Sequence, residues 1–279
     1  MKVEDCIVAV ERRSAGNSFD LACIFLQRFR GPIFQLWLLN AIPSCCLVWL
    51  LSSVTTDMLI PSLLIFLFFS STFSGQLIAG LGPQVFGEPF SAVQAVKTWR
   101  KRLLPWLFLT FTIRIGQILG AFCLLFPALM VTAWGGHLNE VLLLEQSSFR
   151  GASKRLSWLT QAGGYGRNMR SLSPLLCFWA GITTGVFIII DLTAGTLLNQ
   201  PLFLQQTAMG SSQLSLAIQQ TLLDSPGTLT LLQFSLWLGW PLIRIAWFFC
   251  YLDQRIRNEC WDLQVQFRAE AVRLEGARS

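Results

Sequence analysis

This chain has few charged side chains for its length. Asp, Glu, Lys and Arg make up 13% of its 279 residues, whereas an average soluble domain is about 25% charged. Hydrophobic residues make up 53% of the chain, and the mean hydropathy is +0.54. A soluble fold of this size would need more charge to cover so much apolar surface. The composition excludes an ordinary soluble domain and predicts an integral membrane protein.

Residues and motifs that carry chemistry are also scarce. His137 is the single histidine, which excludes a multi-histidine metal site and the H-E-x-x-H pattern of zinc hydrolases. There is no phosphate-binding P-loop and no G-x-S-x-G nucleophile elbow. The eight cysteines form no C-x-x-C pair and lie mostly in apolar runs, which indicates small buried side chains rather than a disulfide framework. We therefore predict no cofactor and no enzymatic activity.

Long apolar runs, in contrast, are abundant and predict an all-α, polytopic transmembrane helical bundle. About 20 helical residues cross the hydrocarbon core of a bilayer. The chain reads as a single integral membrane domain, 1–279, with six predicted spans. These spans cover residues 32–54, 58–80, 103–126, 128–147, 171–198 and 228–251.

The distribution of Lys and Arg decides how the ambiguous run 128–147 is interpreted. The net charge of +6 lies in the gaps between apolar runs, which indicates topology and contact with anionic lipid rather than nucleic acid. Basic residues gather before span one, in 97–102, in 148–170 and after span six. The positive-inside rule assigns all four segments to the cytoplasm, so 103–147 must cross an even number of times. Either 128–147 is span four, or it is a re-entrant helix.

Amphipathic stretches flank the bundle and predict interfacial helices at both ends. In 14–30, Asn17 is expected to cap the helix, and an apolar stripe follows at Phe19, Ala22, Leu26 and Phe29. The C-terminal helix, 252–275, carries a stripe that begins at Ile256 and includes Leu263 and Phe267. Both termini are expected in the cytoplasm, with the chain in a cell membrane, by expectation a bacterial inner membrane.

A few charged and polar residues inside the apolar runs form a candidate intramembrane cluster. Its members are Arg114, His137, Glu140, Glu145 and Arg244. Because a charge in hydrocarbon normally faces a partner or water, we predict an Arg114–Glu140 pair across the 103–147 hairpin. Arg244 is expected to reach the headgroups or Glu145. The pair would be either a structural clamp or a polar site for a lipid headgroup or an ion path.

Three segments carry a resemblance to a known bacterial family. They are RRSAGNSFDLACIFLQRFRGPIFQLW, FPALMVTAWGGHLNEVLLLEQSSFRGASKRLSWL and YLDQRIRNECWDLQVQF. Their order resembles the membrane domain attached to some glycerophosphodiester phosphodiesterases, and its stand-alone relatives of unassigned role. The resemblance aligns the glutamate that ends an apolar helix with Glu145, and an amphipathic stretch with Ala152 and Arg155. The closing cytoplasmic motif falls on Tyr251, Asp253, Arg255, Arg257, Glu259 and Asp262. Cys260 stands where the family usually has glycine.

The resemblance implies six helices with both ends in the cytoplasm, but it brings no activity. The phosphodiesterase barrel is a separate domain of about 250 residues, for which a chain of 279 residues with this many apolar runs has no room. The sequence thus favours a non-enzymatic membrane scaffold or accessory protein that contacts anionic headgroups and a separately encoded membrane partner. The alternative is a transporter or lipid-handling protein with a polar site around Arg114 and Glu140.

Overall fold

The structure is a computed structural model, and it describes residues 14–55, 57–85, 89–123, 125–161, 163–197 and 225–259. Within these residues every regular element is an α-helix, which confirms the all-α class. The helices are α1 (Ala15–Arg28), α2 (Arg30–Ser52), α3 (Leu59–Val85), α4 (Ala92–Lys101), α5 (Leu103–Cys123), α6 (Leu125–Gly135), α7 (Leu138–Leu143), α8 (Phe149–Thr160), α9 (Gly164–Leu197) and α10 (Pro226–Glu259).

Five of these helices are long and apolar enough to cross a membrane. They are α2, α3, α5, α9 and α10. Their bounds lie close to the predicted spans, although α9 begins seven residues earlier than the predicted 171 and α10 continues eight residues past the predicted 251. A multi-pass membrane protein is compatible with these helices, while the number of six spans stays a prediction.

The predicted span 128–147 is divided into two helices, α6 and α7. The break falls at Gly136 and His137, where a glycine pair weakens the helix because glycine costs about 1 kcal/mol relative to alanine in a helix interior. Gly136 also has a packing role, because a methyl group there would stand 2.9 Å from the Trp247 ring. Neither α6 nor α7 alone has the length of a span.

Despite the break, α6 and α7 run back antiparallel to α5 over its whole length. The contacts that define this hairpin join Gly120 to Ala128, Gln117 to Thr132, Ile113 to Gly135 and Trp106 to Asn139. At its base Arg102 donates hydrogen bonds to the carbonyls of Gln146 (3.3 Å) and Ser147 (3.5 Å). Gly120 permits the close approach, since a Cβ there would lie 2.7 Å from the Ala128 nitrogen. The glycines of GQILG therefore pack within the chain.

The described chain divides into two compact units. The first comprises the described residues of 1–34, 74–174 and 244–279, and the second those of 35–73 and 175–243. In the second unit aromatic rings surround Trp237, which is fully buried. Phe66 and Phe73 meet this ring edge-on at centroid distances of 5.6 and 5.8 Å, and its Nε1 donates to Ser44 Oγ (3.1 Å).

The first unit holds the short amphipathic helices. α1 is present at the predicted place, but its cap is Ser14, whose hydroxyl accepts from the Asn17 nitrogen (3.2 Å). Its buried side is centred on Ala22 and Phe25, and Phe25 meets Phe249 of α10 at 5.7 Å. The helices α4 and α8 form in the basic segments between predicted spans, where the sequence predicted no span. The loop 199–227, except 225–227, and the tail beyond Glu259 lie outside the described residues.

Candidate functional site

The break between α6 and α7 places the side chain of His137 in the interior of the first unit. His137 is 1% exposed, and its ring stacks on Trp247 with centroids 4.6 Å apart and planes inclined by 12°. Trp247 Nε1 donates to the Gly136 carbonyl at 3.0 Å, so the helix break gains a partner for one of its freed backbone groups. The break is thus tied to α10 by both a ring stack and a hydrogen bond.

Asn168, near the start of α9, links the break to α10 through hydrogen bonds. Its Nδ2 donates to the Ala133 carbonyl (2.9 Å), which turns Oδ1 toward His137 Nε2 at 3.2 Å. The side chain of Gln254 also donates to Asn168 Oδ1. Because Oδ1 only accepts, the geometry assigns the ring proton of His137 to Nε2. The other nitrogen, Nδ1, is then a buried acceptor without a hydrogen-bond partner in the described structure.

One turn after His137, Glu140 forms a buried ion pair with Arg244 of α10. Arg244 Nη2 lies 2.7 Å from Glu140 Oε1, and the two side chains are 6% and 0% exposed. A buried pair of this kind stabilises a fold only when its remaining polar atoms are satisfied. Here Glu140 Oε2 and Arg244 Nε have no hydrogen-bond partner in the described structure. The pair therefore keeps two buried polar atoms whose hydrogen-bonding capacity is unused in the described structure.

The predicted Arg114–Glu140 pair is wrong, because both residues have other partners. Arg114 Nη1 donates to Gln117 Oε1 at 2.8 Å, while Glu140 pairs with Arg244. In the observed hairpin register Arg114 lies opposite the end of α6, whereas Glu140 lies close to the level of Trp106. The two residues are therefore offset by about eight positions, or roughly 12 Å along the helix axis. The expectation that Arg244 meets Glu145 is also wrong, because Arg244 pairs with Glu140 while Glu145 binds Arg155 and Tyr251.

Glu145, the last charged residue before α8, is the centre of a second, partly exposed network. Arg155 Nε and Nη2 bind its two carboxylate oxygens at 2.6 and 3.1 Å. The Tyr251 hydroxyl donates to Oε1 at 2.6 Å, and Arg255 Nε lies 3.9 Å away. The turn at Gln146, with φ of 49°, folds the chain back so that α8 brings Arg155 to this carboxylate.

Glu259 completes the second network and joins α10 to α8. Arg255 binds its Oε2 through Nε (3.0 Å) and Nη2 (2.9 Å), and Arg155 Nη2 contacts Oε1. Arg155 thus meets both oxygens of Glu145 in bidentate geometry, which is the strong form of this interaction, whereas Arg255 directs two nitrogens to a single oxygen of Glu259. Next to them Asp253 and Arg257 form an i,i+4 pair at 2.7 Å. The structure therefore joins Tyr251, Arg255 and Glu259 of the closing motif in one network and pairs Asp253 with Arg257 separately, while Asp262 lies outside the described residues.

Several residues of this site are not identifiable from the sequence. Asn168 and Gln254 lie in stretches where isolated amides look like ordinary surface residues, and Trp247 looks like one more lipid-facing aromatic. The sequence holds one signal for the two amides. Asn168 and Gln254 each lie within three residues of an apolar run, where a polar side chain can become buried. Among the described residues no group of three or more His, Cys, Asp or Glu side chains could hold a metal ion.

Comparisons of the chain with protein-family models, with curated proteins and with solved structures found no match. The resemblance stated from the sequence therefore stays a prediction, and the geometry of the two networks is the basis on which a function is inferred.

Proposed function

We propose that this chain is a multi-pass membrane protein with a non-enzymatic scaffold or accessory role beside a separately encoded membrane partner. The observation that carries the proposal is the internal pairing of its charges. Glu140, Glu145 and Glu259 each bind an arginine of the same chain. Carboxylates that are neutralised in this way act as ties between helices and leave little charge for a substrate.

The proposed topology places the basic segments on one side of the membrane, by expectation the cytoplasm. It is supported by contacts within the first unit, where segments that are far apart in sequence meet. Arg167, in the basic segment 148–170, donates to Asn258 Oδ1 at 2.9 Å, and Arg155 of the same segment binds Glu259. Contact between two basic segments requires that they lie on the same side, as the positive-inside rule expects.

Cysteine labelling tests this topology directly. In a background without native cysteines, a cysteine at Ser212 should react with an impermeant reagent on intact cells, and a cysteine at Ser153 should react only after lysis. Ser153 is exposed in the described structure, so shielding by the fold does not explain its silence. Labelling of Ser153 but not Ser212 on intact cells would reverse the orientation, and extraction of the protein by carbonate would exclude a membrane span.

A second function, a transporter or lipid-handling protein, is favoured by one specific observation. The helix break at Gly136 and His137 lies beside buried atoms without partners, Glu140 Oε2 and His137 Nδ1. Broken helices next to polar groups are typical of ion and substrate sites in transporters. Proteoliposomes that contain pH-sensitive and anion-sensitive dyes separate the two proposals. The scaffold predicts no flux above empty liposomes, whereas a flux that is lost in Glu140→Gln would establish the transporter.

A further inference from the structure

An open cavity of about 360 Å³ lies in the first unit, and none of its lining residues belongs to either charge network. It is bounded by the end of α3, the segment before α4, and one face of α4. Its volume falls within the range of about 300–1,000 Å³ that is usual for small-ligand sites. Ala79, Gly80 and Pro83 form its α3 wall. These small residues leave room that larger side chains would fill.

The sequence builds this cavity through a close contact at Gly80. A methyl group at this position would clash with the ring of Phe90, so glycine is what allows the Phe90 ring to pack against α3. The chain then turns at Ser91 into α4, which begins at Ala92. Ala95 is buried at 1% exposure and holds α4 against its neighbours. The adjacent face of α4 is left to line the cavity.

That face of α4 carries hydrogen-bond donors and positive charge. Lys97 and Lys101 are spaced by one helical turn and both line the cavity, together with Thr98 and Gln94. The described lining contains no acidic residue. Neither lysine forms an ion pair within the described part of the chain. The contrast with Glu145 and its arginines is clear, because among the described residues no carboxylate pairs with these two lysines.

The ligand chemistry that matches these groups is an anionic phosphoryl oxygen with an uncharged remainder. Lysine ammonium groups bind phosphate as point charges, and hydroxyl and amide groups add directed donors. α4 connects α3 and α5, two helices long enough to span a membrane, and so stands where lipid headgroups lie. We infer that the α3–α4 cavity binds the phosphodiester headgroup of an anionic membrane lipid. This inference rests on the proposed membrane location.

Native mass spectrometry of the purified full chain, released from nanodiscs of phosphatidylglycerol and phosphatidylcholine, tests the inference. The wild type should retain phosphatidylglycerol preferentially. Lys97→Gln/Lys101→Gln should weaken that retention on the order of tenfold, because each basic residue near a headgroup contributes severalfold to affinity. The matched control is Arg100→Gln/Lys154→Gln, which removes the same charge from two exposed residues that do not line the cavity. The control should change retention by about twofold or less.

A third variant separates the cavity from the charge. Thr98→Trp keeps both lysines but fills the space, and because Thr98 is exposed the fold should tolerate it. Loss of lipid retention in Thr98→Trp supports the cavity. Equal losses in the lysine pair and its control, or full retention in Thr98→Trp, would overturn it in favour of diffuse surface charge.

Two further measurements identify what has failed if the result is negative. Binding of inorganic phosphate alone, with displacement of the lipid by that phosphate, would overturn the lipid assignment. Carbonate extraction reports on the proposed membrane location separately. A chain that stays in the membrane and binds lipid equally well in every variant overturns only the cavity inference, whereas a chain that carbonate extracts overturns the proposed function as well.

Discussion

Removing one member of the Glu140–Arg244 pair should destabilise the protein far more than removing both. Arg244 would be left as a charge in a site of 6% exposure when Glu140 is replaced by leucine, and Glu140 would be left fully buried in the reverse case. In the double variant Glu140→Leu/Arg244→Leu no buried charge is left without a partner, and both side chains are replaced by the somewhat smaller, apolar leucine. The pattern of the three variants is therefore a test of the pairing itself.

The expected magnitudes follow from burial and distance. Two charges about 4 Å apart attract by about 4 kcal/mol at an effective dielectric constant near 20, and the desolvation of each ion costs several kcal/mol. These terms nearly cancel in the intact pair, whereas a stranded partner keeps only the cost. Each single variant should therefore lose about 3–5 kcal/mol, and the double variant should be near neutral. The coupling energy, which is the loss in the double variant minus the sum of the two single losses, should then be about 6–10 kcal/mol in magnitude.

The assay is a denaturant titration of the purified protein in detergent, followed by intrinsic tryptophan fluorescence. A matched control exists on the same helix: Asp253 and Arg257 are also 2.7 Å apart, but their side chains are 15% and 33% exposed. Replacing either of them should cost less than about 1 kcal/mol, since exposed i,i+4 pairs are screened by water. Both pairs have an N–O distance of 2.7 Å, but Glu140–Arg244 joins two helices and is buried, whereas Asp253–Arg257 lies within one helix and is partly exposed, so the difference reports burial together with the tie between helices.

One outcome would refute the reasoning. If the two single variants cost less than about 1 kcal/mol each, or if the double variant loses the sum of both, the groups do not compensate one another. Arg244 would then be solvated by water that reaches the break at Gly136 and His137. That result would move the polar interior from a structural tie to a water-lined path, and the transporter would become the better proposal.

Two further predictions concern the hairpin and the second network. Gly120→Ala should destabilise the protein by about 1–3 kcal/mol, because its Cβ would lie 2.7 Å from a backbone nitrogen. The control Gly181→Ala, whose Cβ would have nothing within 4 Å, should be neutral or stabilising by up to about 1 kcal/mol. Equal effects of the two variants in a thermal unfolding assay would exclude the α5–α6 contact. Glu145→Gln should cost about 1–2 kcal/mol at low salt and less at high salt, since this carboxylate is 14% exposed. A salt-independent loss would show that Glu145 acts through packing.

Much of the fold could be predicted because hydrophobic length and charge position are properties of the sequence alone. The runs that became α2, α3, α5, α9 and α10 are set by apolar composition, whereas the seven residues that lengthen α9 at its start are not. The helices α4 and α8 could not be found in the same way. Their amphipathic stretches are short and contain lysines and arginines that also suit a loop, and they become helical because residues such as Ala95 and Ala152 pack inward.

The break between α6 and α7 marks the limit of what composition predicts. Apolar content over 128–147 satisfies the length of a span, but Gly135 and Gly136 lower helix stability there by about 1 kcal/mol each. The break is then stabilised by groups from elsewhere in the chain, Trp247 and Asn168. Tertiary partners of this kind are invisible in a local window, so the sequence left both a full span and a re-entrant helix open.

The wrong partner for Glu140 has a specific cause in helix geometry. Successive residues of a helix point about 100° apart, so Asn139 and Glu140 must face different neighbours. Asn139 faces α5, where it accepts a hydrogen bond from Trp106 Nε1 at 2.7 Å. Glu140 therefore faces away from α5 and meets α10 instead. The need of the Trp106 indole for an acceptor was a usable signal in the sequence. It would have placed Asn139 on the hairpin face and excluded Arg114, a residue of α5, as the partner of Glu140.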